Sequence, residues 1–314
     1  MNKRQKLFVI SILIIVLMAA LATAFYSSQN KPEDSKLKVV ATFYPLAFFA
    51  QQIGGELVTV KQLIPDNTEV HNWQPTLADI VALDEADLIL YNGASLDHWF
   101  EDDVFPILDT SNKIILETTE GIQLLETGQE NYPEHGHEGV YDPHTWISPF
   151  IAKQQAQNIY EAMTQKDPIH SDSYEERWQS LKTRFNELDN SYMSELSTKH
   201  KNDIFVSHSA FGYLAFRYGF TQHGVIGIAA DEQPSALTYA NLVKLMQEHE
   251  TYIVYVDPVY AGESAQTLGT DLERLSGVDV QIVKLYFMLG KIDGLDYFGQ
   301  MQNNLENLKI GLEA

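Results

Sequence analysis

The chain contains no cysteine. That excludes disulfides, thiolate metal sites, cysteine nucleophiles and a lipid-modified N-terminal cysteine, so any bound metal must be held by nitrogen and oxygen. Positive charge is also scarce. Twenty-one Lys and Arg face 43 Asp and Glu, a formal net charge of −22, and a surface this acidic is unsuited to neutralising phosphates, which argues against nucleic acid as a partner. Charged residues make up only 20%, and neither glycine (18) nor proline (11) is in excess, so the composition does not indicate disorder. Long apolar runs are missing with one exception. Lys3, Arg4 and Lys6 precede an uncharged stretch from Leu7 to Phe25, followed by a polar spacer from Ser27 to Ser35. This order is that of an export signal, and Ala22-Thr23-Ala24 fits the small-x-small cleavage pattern. The run is also almost long enough to span a bilayer, which leaves a cleaved signal peptide and a retained membrane anchor both open. Either way the remainder is expected outside the cytoplasm, in the periplasm or on the outer face of the cell membrane.

What is present is a large apolar fraction, 45% of 314 residues, enough for one large core or two ordinary ones. Apolar, β-branched runs at Lys38–Phe43, Val58–Pro65, Leu88–Asn92 and Ile114–Glu117 read as strands, with helical spacing at Pro45–Ile53 and Thr76–Ala86 between them. The pattern returns with strands at Ile204–Ser207, Val225–Ile228, Ile253–Val256 and Val278–Leu285. Helices are expected at Ser209–Tyr218, Ser235–His249, Ser264–Leu275 and Leu295–Leu312. Between the halves, Trp178, Leu181, Phe185, Leu188, Tyr192 and Leu196 recur every three or four residues, which predicts one amphipathic helix from Ser173 to about Thr198. At 1.5 Å per residue it is roughly 40 Å long, enough to run the height of two lobes. The expected fold class is therefore α/β, two parallel-sheet lobes joined by one long connecting helix. The expected division is 1–36 for the signal or anchor and spacer, 37–170 and 201–314 for the lobes, and 171–200 for the connecting helix.

The chemistry is sought among ten histidines. His71 lies in the loop after the second strand, in Glu69-Val70-His71-Asn72-Trp73-Gln74-Pro75. His144 lies in Asp142-Pro143-His144-Thr145-Trp146, a segment stiffened by Pro143 and Pro149, and a helix follows it. His208 closes the strand ending at Ser207. Loops at the carboxyl ends of strands carry the sites of α/β folds, and neutral imidazole is the commonest metal ligand, its second nitrogen fixed by a carboxylate or carbonyl. Glu69, Asp142, Asp231 and Asp257 fall in such loops and could orient the rings or complete a shell. Spacing alone does not bring positions 71, 144 and 208 together. Three imidazoles at their ordinary value of about 6.5 would lose metal to protons steeply between roughly pH 7 and 5.

These segments carry a resemblance. Ala41-Thr42-Phe43-Tyr44-Pro45, the His71 loop with Trp73 and Pro75, Ala86-Asp87-Leu88-Ile89-Leu90-Tyr91-Asn92-Gly93, Asp142-Pro143-His144-Thr145-Trp146 with Ser148-Pro149, and His208-Ser209-Ala210-Phe211-Gly212-Tyr213-Leu214 with Arg217-Tyr218-Gly219 together resemble the metal-binding solute-binding proteins of zinc and manganese ABC importers, in their zinc branch. The likeness runs over nearly all of Val39 to Leu312. It implies a metal cleft between the lobes, with one ion bound by His71, His144 and His208, and as partners an ABC permease with its cytoplasmic ATPase. Many relatives add an Asp or Glu shortly after the last strand; this chain reads Lys284-Leu285-Tyr286-Phe287-Met288-Leu289-Gly290 there, with no acid. Gln233-Pro234 and Asp257-Pro258 stand where Glu-Pro is usual. Three nitrogens suit Zn²⁺ better than Mn²⁺, which prefers oxygen. In manganese-selective relatives a carboxylate replaces the third histidine. The family also implies a His- and acid-rich loop, represented here by Gly128–Gly139 with His135 and His137, which could gather zinc or simply be a solvated loop. Manganese or iron carriage is the nearest alternative. Two readings from other classes are a zinc hydrolase, for which no HExxH-like ligand and base pair is present, and an adhesin.

Overall fold

The computed structural model describes residues 36–126, 141–227, 235–259 and 263–314. The N-terminal apolar run, the His135–His137 segment and Asp231 with Gln233-Pro234 lie outside the described residues. β1 (Leu37–Ala41), β2 (Val58–Gln62), β3 (Leu88–Tyr91) and β4 (Ile114–Glu117) form one parallel sheet in the order β2-β1-β3-β4. β5 (Asp203–His208), β6 (Thr221–Ile226), β7 (Ile253–Val256) and β8 (Gln281–Lys284) form a second, in the order β6-β5-β7-β8. Every neighbouring pair is parallel, so each connection must cross over the sheet and the loops leaving the carboxyl ends gather on one edge.

The crossovers carry helices whose ends are written locally. α1 (Tyr44–Gly54) takes Pro45 in its first turn, where its fixed φ suits a helix start. α2 (Leu77–Asp84) opens with a capping box between Thr76 and Asp79, which also ends the His71 loop. α3 (Pro149–Lys166) again starts on a proline, immediately after the His144 segment. In the second half come α5 (Gly212–Tyr218), α6 (Ala236–Glu248), α7 (Glu263–Ser276) and α8 (Tyr297–Leu312). No helix among the described residues is long and apolar enough to cross a membrane.

The long connecting helix α4 spans Ser171–Glu195. Its aromatic stripe is fully committed: Tyr174, Trp178, Leu181, Phe185, Leu188 and Tyr192 are buried in one cluster that also holds residues of both sheets. The Phe185 ring lies 5.5 Å from Phe49 of α1 and 5.0 Å from Phe298 of α8, and Tyr192 donates to the Met301 carbonyl at 2.6 Å. The helix therefore packs against both halves through its apolar face. Phe185→Ala removes a fully buried ring and is expected to cost about 3–5 kcal/mol, read as a lowered midpoint in denaturant unfolding of the metal-free chain.

β2 ends at Gln62 rather than Pro65 and β8 runs over Gln281–Lys284 rather than Val278–Leu285, and two further boundaries differ from the sequence expectation with local contacts to account for them. β6 begins at Thr221 rather than Val225, because Gly224 continues the strand: a side chain there would collide with the Ser209 hydroxyl, so the glycine permits a close approach. α5 begins at Gly212 rather than Ser209: its first helical bond runs from the Ala215 amide to the Phe211 carbonyl at 2.8 Å, and the Ser209 and Phe211 amides before it are taken up by the Ile226 carbonyl and the Gln222 side chain.

Candidate metal centre

His71 arrives on the loop between β2 and α2, where the Glu69 carboxylate accepts from the amides of His71 (2.7 Å) and Asn72 (2.8 Å) and so folds the chain into a tight turn at the histidine. His144 precedes a short turn over Thr145–Ile147 at the entrance to α3. His208 is the last residue of β5, in register with Ile226 of β6. Each position thus lies at or beyond the carboxyl end of a strand, on the edge where crossover loops converge.

The three rings meet. One ring nitrogen from each of His71, His144 and His208 lies within 4.8 Å of the others, and the ring centroids are 5.0, 5.3 and 5.8 Å apart. His144 and His208 are 2% and 1% exposed. His71 Nε2 and His144 Nε2 are buried without a hydrogen-bond partner. Unpaired buried nitrogens cost free energy, and three converging lone pairs are what a tetrahedral ion with one open position requires. Among the described residues this is the one group of three or more His, Asp or Glu with such spacing.

Surrounding groups decide which nitrogen faces inward. The Asp142 carboxylate lies 2.8 Å from His144 Nδ1 and also accepts from the His144 amide at 2.9 Å. A carboxylate can only accept, so Nδ1 carries the hydrogen and Nε2 the lone pair. Asn92, at the end of β3, grips the same segment from both sides: its amide donates to the Pro143 carbonyl at 2.9 Å, and its oxygen accepts from the Thr145 hydroxyl at 3.1 Å. Asp142→Ala is expected to weaken zinc binding 10- to 100-fold while leaving one site per chain, because the ring loses its orienting partner and not its ligand atom; competition against a chelating dye reads this directly.

Burial and the neighbouring imidazoles His144 and His208 hold His71 well below its ordinary value. Burial pushes His144 down to about 3. Both rings are therefore neutral at physiological pH, the form a metal needs.

Of the four acids singled out in the sequence, Asp142 orients His144. Glu69 shapes the His71 turn. Asp257 serves the backbone, accepting from Val259 (2.7 Å) and Phe287 (2.8 Å). The segment after the last strand, where the resemblance led to the expectation of an acid, is apolar and buried from Leu285 to Leu289, with the Phe287 ring 5.3 Å from His208 and 5.1 Å from Phe211. Asn92 and Phe287 were not singled out by sequence. The former stands in a common Asn-Gly pair after a strand, and the latter reads only as core.

Comparison with known proteins agrees with this geometry. Residues 39–311 match the family model described as zinc-uptake complex component A, periplasmic. The chain is 30% identical to the high-affinity zinc uptake system protein ZnuA of Bacillus subtilis, over 99% of this chain and 98% of that protein. It is 29% identical to the zinc-binding lipoprotein AdcA of Streptococcus pneumoniae, over 94% of this chain but only 60% of that longer protein. The solved Zn(II)-bound ZnuA-like domain of S. pneumoniae AdcA superposes with a TM-score of 0.74 at 25% identity, covering 89% of this chain and all of that one. With three imidazoles converging between two parallel-sheet lobes and a family match over nearly the whole described chain, the protein belongs to the ZnuA family of zinc-uptake solute-binding proteins.

Proposed function

We propose that this chain captures a single Zn²⁺ ion with His71, His144 and His208 outside the cytoplasm and hands it to the permease of an ABC importer, whose cytoplasmic ATPase drives uptake. The observation that carries this reading is the convergence of three ring nitrogens within 4.8 Å, with two of them buried and lacking any other partner. A site of neutral nitrogens favours zinc over manganese, which prefers oxygen ligands. The family is one of transport receptors and not of enzymes, so the ion is cargo. The N-terminal basic and apolar run is the expected export signal or anchor that places the binding unit there. The test is metal stoichiometry: the purified chain should take up one zinc per molecule, bind manganese more weakly in competition, and show no turnover of ester or CO₂ substrates. Tighter manganese binding would move the reading to the manganese carriers.

A further inference from the structure

The segment that follows β8 is in contact with the loops of all three histidines. At its start, Tyr286 is bracketed by Asn304 of α8, whose oxygen accepts from the Tyr286 amide (2.7 Å) and whose amide donates to the Tyr286 carbonyl (2.8 Å). The Phe287 ring packs on His208, and the Phe287 carbonyl accepts from Trp146 Nε1 at 2.7 Å, two residues beyond His144. Further on, the Leu289 and Lys291 carbonyls accept from the Asn67 amide (2.9 Å) and the Asn67 side chain (3.0 Å), while the Lys291 amide donates to Asp66 at 3.3 Å. Asp66 and Asn67 open the loop that carries His71. Gly290 makes this contact possible: a Cβ there would stand 2.6 Å from Asp66 Cβ and 2.7 Å from the Asn67 amide nitrogen. Asn67 itself has φ 58°, a left-handed conformation that asparagine tolerates better than most residues.

We propose that residues 287–291 form a clasp that positions the three metal-binding loops against one another and sets the rate of zinc release, with Asn67 and Gly290 as positioning residues. This rests on the zinc-receptor reading and extends it. A carboxylate ligand at this place would hold the ion by a bond. Here the same stretch holds the ligands' loops, so withdrawing one backbone segment loosens His71, His144 and His208 together. A transporter that displaces the clasp would free the ion without having to compete for each imidazole.

The experiment measures zinc dissociation from the full chain by stopped-flow mixing with a chelator, together with the visible spectrum of the Co²⁺-substituted protein. Asn67→Asp removes the donor to the Lys291 carbonyl and keeps a residue that tolerates positive φ; one lost hydrogen bond corresponds to roughly a fivefold faster release. Gly290→Ala wedges the two loops apart and should accelerate release more. Both variants should still bind one zinc and should shift the Co²⁺ bands, because the imidazoles are repositioned. Met246→Ala, in the separate core of the second lobe, is the control for general destabilisation and should change neither. Release rates and Co²⁺ spectra of Asn67→Asp within about twofold of wild type would overturn the clasp, as would an equal acceleration by Met246→Ala. If Gly290→Ala does not fold, Asn67→Asp decides alone. Absence of zinc binding by the wild-type chain would instead overturn the receptor reading itself.

Discussion

Replacing His208 or His144 by alanine is expected to lower zinc affinity by two to three orders of magnitude. Structural zinc sites with four protein ligands are worth on the order of 10–16 kcal/mol, so each ligand of such a shell carries about 3–4 kcal/mol, and tenfold in affinity is about 1.4 kcal/mol. The loss cannot be made good nearby. No Asp or Glu among the described residues joins the three rings; Asp142 and Asp257 are engaged with His144 and with backbone amides; and the wall beside His208 is the apolar Phe287. The two variants should also differ. His144→Ala leaves the fully buried Asp142 carboxylate without its imidazole partner, so that variant should lose fold stability as well as affinity. Isothermal titration with zinc, alongside thermal unfolding of the metal-free variants, separates the two effects. Affinity unchanged in His208→Ala would remove this residue from the ligand set.

Zinc affinity is expected to survive acidification far better than three exposed imidazoles would allow. Rings titrating at about 6.5 would each be protonated by a factor of about 30 at pH 5, and three together would cost roughly 30,000-fold in affinity. Burial changes this. His71 is held well below its ordinary value and His144 near 3, so protons compete for these two rings far less than for ordinary imidazoles, and the loss at pH 5 should fall well short of roughly 30,000-fold. The penalty moves to the stability of the metal-free fold. Both values are depressed in the folded chain, so below about pH 6.5 the unfolded chain takes up protons that the folded chain does not. Stability contributed by the neutral rings is therefore fully present above pH 6.5 and is lost as the pH falls toward the folded values, by up to about 1.4 kcal/mol per group per pH unit. Calorimetry at pH 6 in buffers of different ionisation enthalpy should show clearly fewer protons displaced per zinc than the roughly two that three ordinary imidazoles would release. A count near two would mean that these rings titrate as solvated imidazoles.

Burial thus replaces the steep acid sensitivity expected of three ordinary imidazoles with a shallower expected one. A sequence reports which groups are imidazoles, but their affinity for protons depends on how much water reaches them and on which like groups stand within 6 Å of them, and both are set by packing.

The same division runs through the whole chain. Continuous β-branched apolar runs and period-three-to-four hydrophobicity determined the elements, since strands such as Ile114–Glu117 and Ile253–Val256 and the stripe of α4 must bury their apolar side chains whatever surrounds them. Alternation of strand and helix then determined parallel sheets, and parallel sheets determined that His71, His144 and His208 would stand at carboxyl ends. Only the tertiary structure decided that these three ends face one another, that Asn92 and Asp142 brace His144, and that the apolar Phe287 stands beside His208. Local pattern is sufficient for the first set, because it concerns the burial of a single face. Contacts such as Asn67 with Leu289 and Lys291 join residues more than 200 positions apart in the chain, and no local periodicity encodes which distant loop will meet which.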